Sequence, residues 1–456
     1  MMLTLLAANV SALAFNVQMA GAGTIVVPDD YPTIQEAVYA AEAGDTILVL
    51  NGTYPENLVI NKSLSLVGES PSATIIDGSI TITSDNVNIS GFTVVQGRLG
   101  RGIWVSSSSG CTISNNTITS CEDEGIYIGA SSNNNIVGNT ITKNHWGIEL
   151  EVSNNNTITE NHILKNSYSG IDILLGSSYN KIVNNTILHN GGGVWIYMGI
   201  SGLSNGETGA GSFNYRCIGN VIVDNVMSNK PVNIAVQSCC SNTEIIRNRM
   251  TCIDYWGIDI GASLFFPDIP CNATIVNNTV TDAKCGISIA ARYVGAHFND
   301  VFGNTVINCD CGICFKRSSN NTVYHNNFVN NTFQANITDS HNISWDNGCE
   351  GNYWSDYNGT DPDWDGIGDT PYQIDESNQD NHPLTCPYPF IVGDINHDGQ
   401  VDLYDVTIVF VAYGSKPGQK NWNPLADVAE PYDHINLYDA VTVCTNYGKK
   451  WSDQKL

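Results

Sequence analysis

Basic side chains are scarce in this chain of 456 residues. The sequence holds 19 lysines and arginines against 45 aspartates and glutamates, which gives a formal net charge of -26. This excess of negative charge argues against nucleic acids and anionic membrane surfaces as partners, and it favours cations, neutral glycans or basic proteins. Because only 14% of the residues are charged, we expect uncharged Asn, Ser, Thr and Gly to cover much of the surface.

Long apolar runs are absent beyond the first 22 residues, so no membrane insertion is predicted for the rest of the chain. Residues 1–22 are apolar and end in Ala20-Gly21-Ala22, which is typical of a signal-peptide cleavage site. No Lys or Arg precedes Lys62, so the basic start of a signal peptide is missing, and a buried strand is the alternative. We expect an extracellular protein, secreted or attached to a cell surface.

The number of cysteines and the N-glycosylation sequences are consistent with an extracellular location. The chain has 14 cysteines, a number that suggests disulfides in an exported protein. Cys285 and Cys311 each precede a Gly-Ile pair, so a disulfide between them is geometrically reasonable. Acceptor sequences for N-glycosylation include those at Asn51, Asn115, Asn184, Asn277 and Asn336.

Helical periodicity is absent, and a repeat of about 23 residues replaces it. The motif Gly-Ile-x-Ile recurs with glycines at Gly102, Gly125, Gly147, Gly170 and Gly193, and its register resumes at Pro231, Gly257, Gly286 and Gly312. The apolar residues alternate with a period of 2, which excludes helical repeats. Short alternating strands separated by Asn, Gly and Ser turns are typical of the coils of a parallel β-helix. The sequence therefore predicts an all-β parallel β-helix over residues 23–347.

A column of asparagines follows the same spacing. It is predicted to comprise Asn116, Asn139, Asn161, Asn185, Asn220, Asn248, Asn278, Asn304 and Asn327. Asparagine side chains stacked at one turn can hydrogen-bond along the column and tolerate a left-handed backbone there. We expect this column to hold successive coils together.

Both ends of the β-helix need a cover, because an open end exposes unpaired strands. Thr33-Ile-Gln-Glu36 is a capping box that opens a short helix through Ala41, predicted to cover the N-terminal end. Residues 348–385 are predicted to form a C-terminal cap with an acidic loop. Calcium ligands are expected in that loop at Asp361, Asp363, Asp365 and Asp369, and a solvated or internally hydrogen-bonded turn is the alternative.

Two segments carry a family resemblance. TIQEAVYAAEAGDTILVLNGTYPENLVINKSLSLVGE (Thr33–Glu69) and GNYWSDYNGTDPDWDGIGDTPYQI (Gly351–Ile374) resemble the NosD-like branch of right-handed β-helix proteins. The resemblance covers roughly residues 23–385 and implies a right-handed, single-stranded, pectin-lyase-like β-helix, with carbohydrate-binding and sugar-hydrolase relatives. The copper role that the name implies needs clusters of Met, His or Cys. Copper handling is disfavoured here, since the methionines are scattered and the histidines are mostly isolated.

The C-terminal part of the chain, after a linker at 386–392, has a different composition. GDINHDGQVDLYD (Gly393–Asp405) has Gly399 at position 6 of a 12-residue calcium loop. The expected Ca²⁺ ligands, at positions 1, 3, 5, 7, 9 and 12 of that loop, are Asp394, Asn396, Asp398, Gln400, Asp402 and Asp405. The segment VDLYDVTIVFVAYG (Val401–Gly414) is echoed by INLYDAVTVCTNYG (Ile435–Gly448).

Two loop–helix units of this kind, over residues 393–450, resemble a type I dockerin. The resemblance implies a small all-α, EF-hand-like domain that binds calcium and docks on a cohesin-like scaffold protein. The second loop, Asp427 to Asp433, lacks the Asp-x-Asn-x-Asp-Gly pattern, so the sequence neither predicts nor excludes a second calcium site there.

The outward position x of Gly-Ile-x-Ile gives a candidate functional face. Read down the coils, it is Trp104, Tyr127, Glu149, Asp172, Trp195, Asn233, Asp259, Ser288 and Cys314. Glu149 and Asp172 are the predicted catalytic pair. Adjacent coils would place their carboxyls roughly 5 Å apart, close to the separation in retaining glycosidases. The predicted substrate-binding residues are Trp104, Tyr127, Glu151, Trp195, Tyr197 and Asp259.

Three interpretations of this face stay open: an ordinary polar stripe, glycan binding without chemistry, and hydrolysis or lyase action. Insertions at 198–216, 261–270 and 290–299 follow this strand and are expected to wall a groove beside it. Neither an Asp-Asp pair of the polygalacturonase kind nor an Asp-Pro-His epimerase signature occurs, and basic residues for a lyase are sparse. The sequence favours a polysaccharide-binding or polysaccharide-processing protein, with a non-enzymatic structural or adhesion protein as the alternative.

Overall fold

The computed structural model describes residues 23–95, 100–197, 216–237, 240–252, 255–262, 271–291, 296–362, 366–389, 393–395, 400–417, 419–421, 426, 428 and 434–450. Three parallel sheets run along one coiled chain, and each coil contributes one strand to each sheet. The predicted signal peptide lies outside the described residues. The prediction of an all-β parallel β-helix is confirmed.

Sheet 1 has 14 strands. They are Thr24–Val27, Thr46–Val49, Ser65–Gly68, Asn88–Ser90, Thr112–Ser114, Asn135–Val137, Thr157–Thr159, Lys181–Val183, Val221–Val223, Glu244–Ile246, Thr274–Val276, Asp300–Phe302, Ser319–Tyr324 and His341–Ser344.

Sheet 2 has 13 strands. They are Gly52–Tyr54, Thr74–Asp77, Thr93–Val95, Thr117–Thr119, Thr140–Thr142, His162–Leu164, Thr186–Leu188, Val226–Ser228, Arg249–Thr251, Thr279–Thr281, Thr305–Ile307, Asn327–Val329 and Tyr353–Trp354.

Sheet 3 has 12 strands and carries the Gly-Ile-x-Ile motif. They are Leu58–Ile60, Ile80–Ile82, Ile103–Ser106, Glu124–Gly129, Trp146–Glu151, Ile171–Leu174, Val194–Tyr197, Val232–Val236, Trp256–Ala262, Cys285–Ala291, Cys311–Lys316 and Phe333–Thr338. A separate antiparallel pair joins Tyr372–Gln373 to Gln379–Asp380.

The core follows from the alternation of apolar and polar residues. In strands such as Thr117–Thr119 and Thr157–Thr159, the central isoleucine is buried and its threonine neighbours are half-buried on the outer face. Parallel in-register pairing places isoleucine on isoleucine in successive coils, as in Ile118 opposite Ile141. Stacked columns of branched apolar side chains on the inner faces of the three sheets fill the interior of the β-helix.

Buried asparagines form hydrogen-bonded ladders between the coils. In the long ladder, each side-chain oxygen accepts the backbone N–H of the ladder asparagine in the preceding coil, at 2.8–3.1 Å. Its members are Asn116, Asn139, Asn161, Asn185, Asn225, Asn248, Asn278, Asn304, Asn326 and Asn352. Two predicted members are corrected: Asn225 replaces Asn220, and Asn326 replaces Asn327. Asn220 instead ends a second ladder that begins at Asn134.

The left-handed backbone lies one residue before each ladder asparagine except Asn352. Asn115, Asn184 and Asn277 have φ of 51°, 53° and 54°, whereas the ladder residues that follow them have ordinary φ. The expectation that the stacked asparagine itself takes this conformation is therefore wrong. A ladder asparagine is needed for its amide, because the side chain joins two coils at once.

A register shift follows the long insertion after Tyr197. Trp195 pairs with Ala235, not with the predicted Asn233. Asn233 instead faces the backbone of Gly193, and its side-chain oxygen accepts the backbone N–H of Asn229 at 2.9 Å. The predicted outward position of Asn233 is wrong, because this asparagine extends a third amide ladder instead.

The N-terminal end is covered by α1 (Ile34–Ala40), which buries Ile34, Ala37 and Val38. The Thr33 hydroxyl accepts the N–H of Glu36 at 3.2 Å, as the capping sequence predicts. The carboxylate of Glu56 accepts two further N–H groups of the first turn, at 2.9 Å each. A side chain from the next coil therefore completes the cap.

Aromatic rings cover the other end. The buried ring of Trp354 stacks between Phe328 and Tyr372, at centroid distances of 4.7 and 4.5 Å. Its indole N–H donates to the carboxylate of Asp380 at 2.9 Å. Burial raises the pKa of Asp380 to about 6.

The C-terminal module has its own hydrophobic core. Helices α2 (Leu403–Ala412) and α3 (Leu437–Asn446) both bury two equivalent positions of the internal repeat, Asp405 with Asp439 and Val409 with Val443. The core comprises Ile395, Val401, Val409, Ala412, Ala426, Ile435, Ala440 and Val443. None of the helices in the described part of the chain has both the length and the apolar character needed to cross a membrane.

Candidate functional site

The outward face of sheet 3 brings together the predicted column from Trp104 to Trp195. Trp104, Tyr127, Glu149, Asp172 and Trp195 pair in register on five successive strands. Side chains at equivalent positions of neighbouring parallel strands point the same way, roughly 4.8 Å apart at the backbone. The sequence argument therefore placed these five residues correctly.

Glu149 is half-buried at the centre of this column. Burial and the negative charges of Glu124, Asp172 and Glu151 raise its pKa to about 8. A carboxyl in this environment keeps its proton at neutral pH. It can therefore donate a hydrogen bond or a proton, which an ordinary glutamate cannot.

Asp172 is fully buried, with no side-chain surface open to solvent. Burial raises its pKa to about 7. Its Oδ2 lies 3.5 Å from the hydroxyl of Tyr197, and its Oδ1 has no hydrogen-bond partner among the described residues. Asp172 lies in the outward column, as predicted, but packing on the outer face covers its carboxyl.

A strip of aromatic rings borders the acid pair. Trp146 lies 5.3 Å from Tyr168, Tyr168 lies 5.8 Å from Trp195, and Trp195 lies 6.5 Å from Tyr197, measured between ring centroids. His145 packs edge-on against Trp146 at 4.1 Å. Tyr168 is exposed. The Gly-Ile-x-Ile motif did not predict Tyr168, because this residue lies in the turn before the strand Ile171–Leu174.

An ion pair lies at the other side of Glu149. Arg101 contacts the buried carboxylate of Glu124 at 2.7 Å, and its guanidinium lies 3.8 Å from the ring centroid of Tyr127. The hydroxyl of Tyr127 hydrogen-bonds to Glu151. Arg101 and Glu124 were missed by the sequence analysis. Arg101 is close in sequence to Trp104, but nothing in the repeat motif marks it.

The remaining predictions about this face concern Asp259 and the walls of the groove. Asp259 lies two strands beyond Trp195 in the same column, where it accepts a hydrogen bond from Gln237 at 3.3 Å. The structure therefore does not bring Asp259 to the acid pair. Most of the first two predicted walls, at 198–215 and 263–270, and part of the third, at 292–295, lie outside the described residues.

The C-terminal loop places three predicted calcium ligands around the start of α2. Asp405 is fully buried, and its two oxygens accept the N–H groups of Ile395 and Asp402, at 2.7 Å each. Asp394 is buried, and Asp402 caps the helix. Gln400 forms an isolated bridge with Lys450. The other two predicted ligands, Asn396 and Asp398, lie outside the described residues.

The second acidic loop is partly described. Asp361 accepts the N–H of Gly366 at 3.0 Å, which is the internal hydrogen bond expected of a closing turn. Asp369 is exposed, and its N–H donates to the carbonyl of Thr360 at 2.9 Å. Asp363 and Asp365 lie outside the described residues, so the calcium prediction for this loop stays a prediction.

Three cysteines converge further along the outward face of sheet 3. The sulfur atoms of Cys285, Cys311 and Cys314 lie within 4.8 Å of one another, and all three are free thiols. Cys285 and Cys311 are register partners, as expected, but no disulfide joins them. The sequence analysis missed the cluster, because it treated Cys285 and Cys311 only as a disulfide pair and Cys314 only as an outward position.

The repeat region matches a known family. The model of the family described as "Periplasmic copper-binding protein (NosD)" matches residues 65–198 and 198–359. The chain belongs to the NosD family. That description names copper.

Two curated relatives are similar to this chain. A cell surface glycoprotein of Methanothermus fervidus is 30% identical over 369 residues, which cover 78% of this chain and 56% of that protein. A probable ABC transporter binding protein NosD of Pseudomonas aeruginosa is 31% identical over 172 residues, 35% of this chain and 39% of that protein. The chain therefore spans about half or less of the length of these relatives.

Solved structures share the fold. A family 28 exopolygalacturonase of Yersinia enterocolitica superposes with a TM-score of 0.52 at 13% identity, over 71% of this chain and 78% of that chain. The PL6 family alginate lyase AlyGC also has a TM-score of 0.52, at 15% identity, over 73% of this chain and 51% of that chain. At these identities the likeness shows a pectin-lyase-like β-helix and nothing about chemistry.

Proposed function

We propose that this NosD-family protein binds a polysaccharide on the outward face of sheet 3 and hydrolyses it with Glu149 and Asp172. One observation carries the proposal: two carboxyls with raised pKa values lie on adjacent coils beside a strip of aromatic rings. Aromatic rings give sugar faces an apolar platform, and paired carboxyls can divide acid and nucleophile roles.

Glu149 is the proposed general acid. Its pKa of about 8 keeps the proton in place at neutral pH, so it can protonate the leaving oxygen of a glycosidic bond. Asp172 is the proposed nucleophile, at a separation of roughly 5 Å that suits a retaining mechanism. Because Asp172 is fully buried, we propose that the side chains covering it shift when a glycan binds.

Glycan binding is tested apart from catalysis. In a glycan array, Trp146→Ala/Trp195→Ala should lower binding at least tenfold, because stacking on the two tryptophan rings that flank Tyr168 is lost. Tyr39→Ala is the matched control, since Tyr39 is an exposed aromatic residue on the N-terminal helix. Equal binding by wild type and the double variant would contradict the proposed glycan platform.

A second candidate function is a non-enzymatic surface or adhesion protein. The relative from Methanothermus fervidus, named a cell surface glycoprotein, favours it. That name and the periplasmic description of the family support an extracellular or envelope location for this chain. Specific glycan binding without any turnover would favour this candidate over hydrolysis.

We propose in addition that the C-terminal module is a calcium-dependent dockerin that attaches the β-helix to a cohesin-like scaffold protein. Its two helices expose matching apolar side chains: Leu403 is 66% and Tyr404 71% exposed, and their counterparts Leu437 and Tyr438 are 63% and 66% exposed. An exposed apolar pair at the start of each helix supports a docking surface. Calcium at Asp394 and Asp405 would compensate the burial of two carboxylates in one loop.

Docking is tested with the full chain and a panel of recombinant cohesin modules, in calcium and in EGTA. We expect binding by at least one cohesin in calcium and none in EGTA. Leu403→Ala/Tyr404→Ala combined with Leu437→Ala/Tyr438→Ala should abolish binding. A chain that binds no cohesin in calcium would contradict the proposed docking role.

A further inference from the structure

The cysteine cluster lies on the same sheet as the acid pair but well apart from it. Five coils separate the strand of Glu149 from that of Ser288, the register partner of Cys314, which corresponds to roughly 24 Å along the β-helix. The cluster is therefore not a part of the proposed glycan site.

Two of the three cysteines form a Cys-x-x-Cys sequence, which runs from Cys311 to Cys314. This spacing is typical of redox-active dithiols. Residues three apart on a regular strand point to opposite faces, yet the sulfur atoms of Cys311 and Cys314 lie 3.0 Å apart. The strand is irregular between them at Gly312, where an added Cβ would lie 2.5 Å from the carbonyl of Gln334. The two thiols therefore meet because a glycine bends the strand.

Cys285 adds a third thiol from the neighbouring strand. It pairs in register with Cys311, and its sulfur lies 2.7 Å from that of Cys314. A disulfide bond is about 2.05 Å long, so the sulfur of Cys285 or of Cys311 reaches bonding distance of the Cys314 sulfur after a movement of less than about 1 Å. Cys314 is thus the shared partner of two neighbouring thiols.

The three thiols differ in their access to solvent. Cys285 is 3% and Cys311 is 7% exposed, whereas Cys314 is half-buried on the outer face. Contacts with the thiols of Cys285 and Cys311 lower the pKa of Cys314, and the thiolate is the form of cysteine that attacks. Lys316, an exposed cation, lies two residues further along the strand on the same face. A reagent from solvent therefore meets Cys314 first.

We propose that Cys314 is the attacking nucleophile of a thiol–disulfide exchange site for low-molecular-weight disulfides, and that Cys285 or Cys311 is the resolving thiol. The Cys314 thiolate attacks one sulfur of the small disulfide, whose S–S bond breaks and releases one small thiolate. The resolving thiol loses its proton and attacks the Cys314 sulfur of this mixed disulfide, which releases the second small thiolate.

The exchange balances without a further reactant. Two cysteine thiols are oxidised to one disulfide, the small disulfide is reduced to two thiols, and the two protons of the cysteines pass to the released thiolates. The third thiol stays reduced. Because its sulfur also lies beside that of Cys314, it can attack the Cys314 sulfur in turn and move the disulfide between Cys285 and Cys311.

The test adds cystamine to the reduced full chain and maps the products by mass spectrometry under non-reducing conditions. We expect a disulfide between Cys314 and either Cys285 or Cys311, no cysteamine retained on Cys314, and one reduced thiol left in the cluster. Cys444 is the internal control, because it is exposed and is the one cysteine of the C-terminal module. It should stop at a mixed disulfide with cysteamine.

Two variants separate attack from resolution. Cys285→Ser/Cys311→Ser removes both resolving thiols and should trap a mixed disulfide with cysteamine on Cys314. Cys314→Ser should slow the oxidation of the cluster at least tenfold, because the remaining two thiols are buried. Cys444→Ser should leave the reaction of the cluster unchanged.

The wild-type experiment also decides against the proposal without any variant. A stable mixed disulfide on Cys314, a disulfide between Cys285 and Cys311 with Cys314 reduced, or a cluster that stays reduced while Cys444 reacts would each overturn it. Any of these results leaves the glycan proposal untouched, since the two sites share no residue.

Discussion

At the scale of single residues, burial is the dominant influence on the acid pair. Glu149 is half-buried and Asp172 fully buried, and the pKa values of both are raised from those of ordinary carboxyls. At neutral pH the folded protein therefore holds the proton of Glu149, which the unfolded chain releases. This difference connects the proposed chemistry to stability.

The first prediction concerns pH and stability. The pKa of Glu149 is raised from 4.5 to about 8, so its contribution to stability is fully present below about pH 4.5 and is lost as the pH rises through about 8. We expect Glu149→Gln to reduce the fall in thermal midpoint between about pH 5 and about pH 8, measured by circular dichroism. Glu160→Gln, at an exposed position, should leave the slope unchanged. An unchanged slope in Glu149→Gln would show that Glu149 is ionised in the folded protein.

The sequence was sufficient to place Glu149 and Asp172 next to each other, because strict repeat spacing fixes parallel register. It could not reveal that Asp172 is covered, since that depends on packing by residues from other coils, such as Tyr197. Tyr168 and Arg101 lie in turns between strands, where the repeat motif has no defined position for them. The cysteine cluster was missed for a related reason: its members come from two strands, and they converge only through the in-register pairing of Cys285 with Cys311.

At the scale of the strand and the coil, the asparagine ladders determine how coils stack. The sequence predicted the long ladder where the spacing is regular, from Asn116 to Asn185, and failed after the insertion that follows Tyr197. Each coil carries several asparagines, so spacing alone could not tell which one enters which ladder. The structure separates them by burial and hydrogen bonding.

The second prediction removes one member of the long ladder. The side chain of Asn161 donates to the carbonyl of Ile136 at 2.8 Å and to Asn185 at 3.0 Å, and it accepts the N–H of Asn139 at 2.9 Å. Asn161→Ala leaves several buried polar groups unpaired, so we expect the free energy of unfolding to fall by about 3 kcal/mol. Urea denaturation measures it. Asn135→Ala, at an exposed strand position, should change it by less than about 0.5 kcal/mol. Equal effects of the two substitutions would contradict the ladder's structural role.

At the scale of the whole molecule, the chain has two separate hydrophobic cores. One fills the β-helix and the other lies between α2 and α3. A ligand that binds only the C-terminal module should therefore stabilise that module alone. The acidic loop next to α2 makes calcium the expected ligand.

The third prediction follows from these two cores. In scanning calorimetry of the full chain, calcium at about 100 times its dissociation constant should stabilise one of two transitions by about 2.7 kcal/mol. EGTA or Asp394→Asn should remove this effect, because Asp394 is the first predicted ligand. Asp300→Asn, an exposed position on the β-helix, should preserve it. Identical scans in calcium and EGTA would contradict the calcium site.

The central claim is that the outward face of sheet 3 binds and cleaves a polysaccharide. The most direct test is a polysaccharide degradation screen of the wild-type chain and Glu149→Gln/Asp172→Asn, with product analysis by mass spectrometry. We predict turnover of at least one glycan by the wild type, and a loss of at least a thousandfold in the double variant with binding retained. Binding without turnover by the wild type, or turnover that survives the double substitution, would contradict the role of the acid pair.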